Sequence, residues 1–155
     1  MPSILSRSSG GPELLQELRP LWEELNRHHA RVAPALAEHL ATVTFERRIS
    51  LLQDRPRLQV ELVRDDGGQA VAYAFGSVDP HGRGELESIY VSPARRGQGL
   101  GSELARRVLA WLRDCGAHPI RVTVAVGNER ALPFYRELGF RTRATTLWLG
   151  DGEVG

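Results

Sequence analysis

The chain has 155 residues and a mass of 17.2 kDa, the size of one ordinary domain, which on folding buries roughly 70% of the surface its unfolded chain exposes. With 41% apolar and 25% charged residues, the composition excludes disorder, collagen-like repeats and low complexity. Twenty basic against 19 acidic residues leave a net charge of +1, too small a basic excess to indicate a nucleic acid or an anionic membrane as partner.

Every basic residue is Arg and there is no Lys, which removes Schiff-base chemistry, a Lys general base and the P-loop lysine. One cysteine, Cys115, cannot form an internal disulfide, so a reducing, cytoplasmic compartment is expected. The start MPSILSRSSGG lacks the apolar core of a signal peptide, and no apolar run is long enough to cross a membrane.

In chain order, residues 3–7 suit one short strand, with a break at SSGGP (8–12). The run ELLQELRPLWEELNRHH then places Leu14, Leu18, Leu21, Trp22 and Leu25 at helical steps, with a kink expected at Pro20. A second helix is expected from Pro34 to Gln53, its stripe formed by Leu36, Leu40, Val43, Arg47 and Leu51, with Phe45, Ile49 and Leu52 beside it. The period changes to two at LQVELVR (58–64), followed by the turn DDGG and the strand QAVAYAFGSV (69–78), a hairpin pattern. A further turn leads into ELESIYV (85–91), so three antiparallel strands are expected in a row. A helix from Gly99 to Cys115, a strand over 119–126, a short helix over 129–138 and a last strand from Phe140 to Leu149 complete the chain. This pattern predicts an α/β (α+β) fold: a mixed, mostly antiparallel central sheet flanked by helices on both faces. One domain over 1–155 is expected, a strand and two helices over 1–57 followed by the sheet and helices of 58–149.

The chemistry is concentrated at IYVSPARRGQGLGSELARRVLAWL (89–112), where a strand passes through a glycine-rich loop straight into a helix. Glycines admit close approach of backbone N–H groups, and the first helical turn leaves N–H donors unpaired with partial positive charge, so the segment suits a phosphate. A Walker loop lacks its Lys here, and a Rossmann GxGxxG would find Ser102 in place of its third glycine, after antiparallel strands instead of a first βαβ strand. A tight turn with no ligand is the remaining bland alternative.

Arg96, Gly99 and Gly101 match the R/Q-x-x-G-x-G/A signature of the GCN5-related N-acetyltransferases, and the chain resembles that family. A second block agrees: in NERALPFYRELGF (128–140), Asn128, Tyr135, Gly139 and Phe140 are similar to the family's downstream motif. The resemblance implies the family's sheet and acetyl-CoA as co-substrate, with no metal, residues 58–149 holding the cofactor and residues 1–57 on the acceptor side. It assigns Arg96, Gly97, Gln98, Gly99, Leu100, Gly101 and Ser102 to the pyrophosphate, Ile89, Tyr90 and Val91 to backbone pairing with pantetheine, and Asn128 to the pantetheine arm or a helix cap. It also implies a bulge in the strand carrying Tyr90 that splays it from the next strand.

Tyr135 is the candidate general acid for the leaving thiolate, its alternative role being an aromatic core residue. Glu87 and Glu85 share a strand face and are candidates for the base, with water as the third option. Glu85 and Glu87, with Glu23 or Glu24, suggest a small cationic amine as acceptor, and a peptide amine stands beside it. The resemblance thus implies an N-acetyltransferase, and a non-catalytic acyl-CoA-binding module is the alternative. Nucleotide binding would need a base or ribose partner that the sequence does not offer. His28, His29 and His39 lack a carboxylate cluster for a metal, Cys115 and His118 form no nucleophile dyad, and Arg106 and Arg107 read as a solvated helix face. A homodimer is expected through sheet edges or the apolar segment RTRATTLWLG.

Overall fold

The computed structural model describes residues 4–53 and 55–149. Five strands form one sheet in spatial order β1 (Ser6–Gly10), β2 (Arg57–Arg64), β3 (Ala70–Val78), β4 (Gly84–Val91) and β5 (Ile120–Val122). The first four pair antiparallel and β4 pairs with β5 in parallel, so the sheet is mixed. Helices α1 (Leu15–Val32), α2 (Ala37–Thr42) and α3 (Phe45–Ser50) precede β2, α4 (Leu100–Asp114) crosses from β4 to β5, and α5 (Leu132–Glu137) follows β5.

The sheet separates two cores. On one face Leu15, Leu18, Leu21 and Trp22 of α1 pack with Phe45, Val60, Leu62, Tyr73, Phe75 and Tyr90. On the other, the α4 stripe Leu100, Leu104, Val108 and Leu112 packs with Val63, Ala72, Ala74, Val78 and Leu86. Burial of each such aliphatic or aromatic side chain stabilises by about 1.5–3 kcal/mol. Since both faces of β3 are covered, almost all its residues are buried, and polar alternation disappears there. α4 approaches the sheet most closely at Gly76, where an added Cβ would lie 2.5 Å from Val108 Cγ1 and 2.9 Å from Glu85 O.

Four expectations are corrected. β1 begins at Ser6 and includes Ser8, Ser9 and Gly10, because Ser9 pairs opposite Glu61 and its hydroxyl bonds the Glu61 carboxylate. β5 covers only Ile120–Val122 of the strand expected over 119–126, its pairing with β4 ending at Leu86↔Val122. The helix expected over 34–53 is broken into a 3₁₀ turn, α2 and α3, since Val43 is extended and Thr44 starts a new helix by accepting the Arg47 N–H at 3.1 Å. That break resets the phase, so Phe45 and Leu52 enter the core and Leu51 is left 64% exposed. The strand expected over 140–149 does not form. β5 is only three residues long, too short to template a ten-residue neighbour, and residues 141–149 are all exposed.

Candidate active site

The site forms where β4 shifts register against β3 and its pairing with β5 ends. Pairing of β3 with β4 jumps from Phe75↔Ser88 to Gly76↔Leu86, which leaves Glu87 as an extra residue, a β-bulge. Side chains follow suit: Leu86, Ile89 and Val91 face the α4 core, while Ser88 meets Tyr73 and Tyr90 lies in the α1 core. Glu87 and Ser88 thus both face the α1–α3 side and line one pocket there. Pairing with β5 stops at Leu86↔Val122. From Glu87 to Val91 the outer edge of β4 therefore has no strand neighbour among the described residues, and its backbone groups are available to an extended ligand.

This open edge leads into the glycine loop. Gly97 and Gly99 adopt φ of 81° and 79°, and nothing lies within 4 Å of where a side chain would start at either. Positive φ strains any other residue, and the empty space lets a ligand reach the backbone. The first α4 bond in the turn runs from Glu103 N–H to Gly99 O, 3.0 Å, so Leu100, Gly101 and Ser102 present first-turn N–H groups without a carbonyl one turn earlier. Gly101 sits in ordinary contact with Phe134 and Val91, joining α4 to α5. Arg96 turns back on β4, its Nε donating to Val91 O at 3.0 Å and its guanidinium 5.4 Å from the Tyr90 ring centre.

α5 brings Tyr135 to the same side. Its ring packs edge-on against Phe134 and Phe140, with centroids 5.2 and 6.0 Å away. Burial raises the phenol above its ordinary pKa, and the hydroxyl has no hydrogen-bond partner among the described residues. Asn128 starts the 3₁₀ turn before α5, but its side chain makes no cap bond, which leaves the amide to other partners. Beside it Gly127 (φ 89°) comes so close to the end of α1 that a Cβ would lie 2.7 Å from Val32 O.

The carboxylates are paired. Glu87 accepts from Arg48 Nη2 at 2.6 Å and from Ser77 Oγ at 2.7 Å, and its side chain is only 3% exposed. Burial alone would push its pKa up, but the Arg48 charge and these hydrogen bonds bring it below the usual carboxylate value. Glu85 is bonded by Arg121 Nε at 2.9 Å, and burial together with repulsion from Glu87 raises its pKa. Tyr73, fully buried, bonds the Ser88 hydroxyl at 2.8 Å. Burial pushes its phenol far up, opposed by the Ser88 hydrogen bond and then by the Arg48 charge.

On the α1–α3 face a pocket of 190 Å³ is lined by Trp22, Leu25, Asn26, His29, Val43 and Arg48, together with Glu87 and Ser88. Asn26 Nδ2 donates to Leu40 O at 3.1 Å and so ties α1 to α2 across its rim. Burial, then the neighbouring His28, lowers the His29 pKa below its ordinary value and favours the neutral imidazole. Among the described residues no three metal-ligating side chains gather, and no helix is long and apolar enough to cross a membrane.

The acetyltransferase (GNAT) family model matches residues 14–140. Together with the splayed β4 edge and the glycine loop, that match places the chain in this family of N-acetyltransferases. The L-amino acid N-acyltransferase MnaT of Escherichia coli is 31% identical over 128 residues, 79% of this chain and 74% of the relative. The L-methionine sulfoximine/L-methionine sulfone acetyltransferase of Salmonella typhimurium is 30% identical over 128 residues, 79% of this chain and 75% of the relative. In fold, the chain is similar to aminoglycoside N-acetyltransferase AAC(6')-Iy in complex with CoA, with a TM-score of 0.65, 21% identity and coverage of 96% and 95% of the two chains.

Sequence reasoning missed Arg48, Asn26 and Trp22 as pocket residues and read His29 as bland. No local pattern marks Arg48: its partner lies 39 residues away.

Proposed function

We propose that this protein transfers the acetyl group of acetyl-CoA to a small primary amine. The observation that carries this reading is the unpaired β4 edge from Glu87 to Val91, which runs from the acceptor pocket to the glycine loop. The empty Cβ positions at Gly97 and Gly99 fit a pyrophosphate. Bound there, acetyl-CoA supplies a thioester carbonyl that an amine nitrogen attacks, forming a C–N bond as the C–S bond breaks.

The chain's own residues take the following parts. The loop from Arg96 to Ser102 holds the pyrophosphate through backbone N–H groups, with Arg96 bracing the loop on Val91. Ile89, Tyr90 and Val91 pair their backbone with the pantetheine amides, and a β4 N–H near Tyr90 polarises the thioester carbonyl. Asn128 offers its unbonded amide to the pantetheine arm. Glu87, a carboxylate at neutral pH, meets the incoming ammonium group. The proton released from the amine passes through water to the Glu85–Glu87 pair, where Glu85 is the more basic member. Tyr135, whose raised pKa keeps it protonated and whose hydroxyl is uncommitted, donates the proton that turns the departing thiolate into a thiol.

The relatives that act on amino acids and the aminoglycoside enzyme of similar fold support a small amine as acceptor. A homodimer joined through residues 141–149 is part of the same reading, since Leu147, Trp148 and Leu149 stand exposed there. A thermal-shift series with acetyl-CoA, NAD and ATP, followed by thiol release with a panel of amines, tests it. Stabilisation by acetyl-CoA alone and thiol release with at least one amine are expected. Equal shifts with ATP would point to nucleotide binding, and acetyl-CoA binding without turnover would point to a non-catalytic acyl-CoA module.

A further inference from the structure

We infer that the acceptor is a zwitterion of amino-acid size, and that Arg48 is the residue that holds its carboxylate. The inference rests on the acetyltransferase reading and names the substrate class of that site.

The pocket carries one charge of each sign, Arg48 and Glu87, joined through Arg48 Nη2 at 2.6 Å. Arg48 keeps capacity beyond that bond. Its Nε and Nη1 have no hydrogen-bond partner among the described residues, and its side chain is 23% exposed while that of Glu87 is 3% exposed. A guanidinium offers five N–H donors in a planar fork suited to a second carboxylate.

Charge balance selects the ligand. The Arg48–Glu87 pair sums to zero, and burial of His29 favours its uncharged form. A ligand with only an ammonium group would leave a net positive charge in a pocket walled by Trp22, Leu25 and Val43, at the cost of burying an unbalanced ion. A zwitterion leaves the sum at zero. Its ammonium reaches toward Glu87, beside the open β4 edge, and its carboxylate toward the free side of Arg48, while the apolar walls receive its side chain. Volume narrows the class further. At 190 Å³ the pocket has room for a ligand of amino-acid size and falls below the roughly 300–1,000 Å³ of sites that enclose drug-sized ligands.

Amino acids and their decarboxylated counterparts test this directly. Purified protein with acetyl-CoA is assayed by thiol release on L-methionine against 3-(methylthio)propylamine, L-leucine against isopentylamine and L-phenylalanine against phenethylamine, with spermidine and an aminoglycoside alongside. At least one amino acid is expected to exceed its twin in kcat/KM by about tenfold or more, since a site with hydrogen-bonding groups for a carboxylate discriminates against the analogue lacking it. In Arg48→Met that ratio should fall toward one through a higher KM for the amino acid, and Arg48→Lys should keep part of it. Loss of the Glu87 partner affects both members of a pair and cancels in the ratio. Acetyl-CoA thermal shifts on each variant confirm that it is folded; if Arg48→Met does not fold, the wild-type ratio and Arg48→Lys decide. Twins that match or exceed their amino acids overturn the inference, as does turnover confined to spermidine or the aminoglycoside, and both leave the acetyltransferase reading standing. Silence toward every acceptor overturns both.

Discussion

In the proposed acetyltransferase, the two faces of the sheet approach ligands by different means. On the α4 face the binding groups are backbone amides set by local sequence: the loop from Arg96 to Ser102, the open stretch of β4 and the first turn of α4 lie within 16 consecutive residues, Glu87 to Ser102. On the α1–α3 face the groups are side chains gathered from distant places, Arg48 and Glu87 being 39 residues apart. A thioester carrier is the same molecule for every amine, and main-chain donors suffice for it. The proposed acceptor pocket is built by tertiary packing, so its chemistry can change without touching the loop.

Perturbations of the two faces should therefore separate. The largest effect is expected from Gly99→Glu, which places a side chain at φ 79° and a negative charge in the cradle: thermal stabilisation by acetyl-CoA should vanish while the fold persists. Tyr135→Phe keeps the ring between Phe134 and Phe140 but removes the proton donor, and turnover should drop by at least about tenfold, general acid catalysis contributing about 100- to 10,000-fold before water substitutes in part. Acetyl-CoA affinity should change little; if it falls together with turnover, the tyrosine serves binding. Gly76→Ala disturbs the α4 face alone, because its methyl group would meet Val108 and the Glu85 carbonyl oxygen. Denaturant titration should show a loss of about 1–3 kcal/mol.

Thr44→Ala removes the cap of α3, at about 1 kcal/mol, and should loosen Arg48 and raise the acceptor KM while acetyl-CoA binding holds. The smallest effect concerns pH. The His29 pKa is lower folded than its ordinary 6.5, so the unfolded chain binds the proton more tightly, and stability falls as pH drops below about 6.5 toward the folded value. His29→Gln should flatten that part of the stability–pH curve. An unchanged slope would show that the imidazole is not held neutral by the pocket.

The same contrast explains what was legible in the sequence. The hairpin β2–β3, β4 and α4 announce themselves through periodicity and turn residues, and the glycine signature points to its ligand because backbone geometry is a local property. The break at Val43–Thr44 was not visible, since a continuous apolar pattern spans it and only packing decides where the phase resets. Nor was β5's short length, which is set by where β4 stops pairing. Glu87 was found as a strand carboxylate, but its pairing with Arg48 and Ser77, which lowers its pKa, depends on contacts that no spacing rule connects. The segment 140–149 has the branched and aromatic residues of a strand and still has no strand paired with it among the described residues.

The extra residue at Glu87 makes β4 a stretch whose length is not negotiable. Turns such as Asp65–Gly68 lie at the surface, where an added residue changes little beyond the loop itself. Between Gly84 and Val91 the strand must fall out of step with β3 once, and only once, opposite Phe75 and Gly76. One residue fewer would restore regular pairing and rotate Ser88 or Glu87 away from the pocket; one more would carry Tyr90 out of the α1 core and turn Ile89 and Val91 away from α4. Insertions and deletions should therefore accumulate at the hairpin turns of related chains and be absent from this strand, whatever substitutions its side chains tolerate.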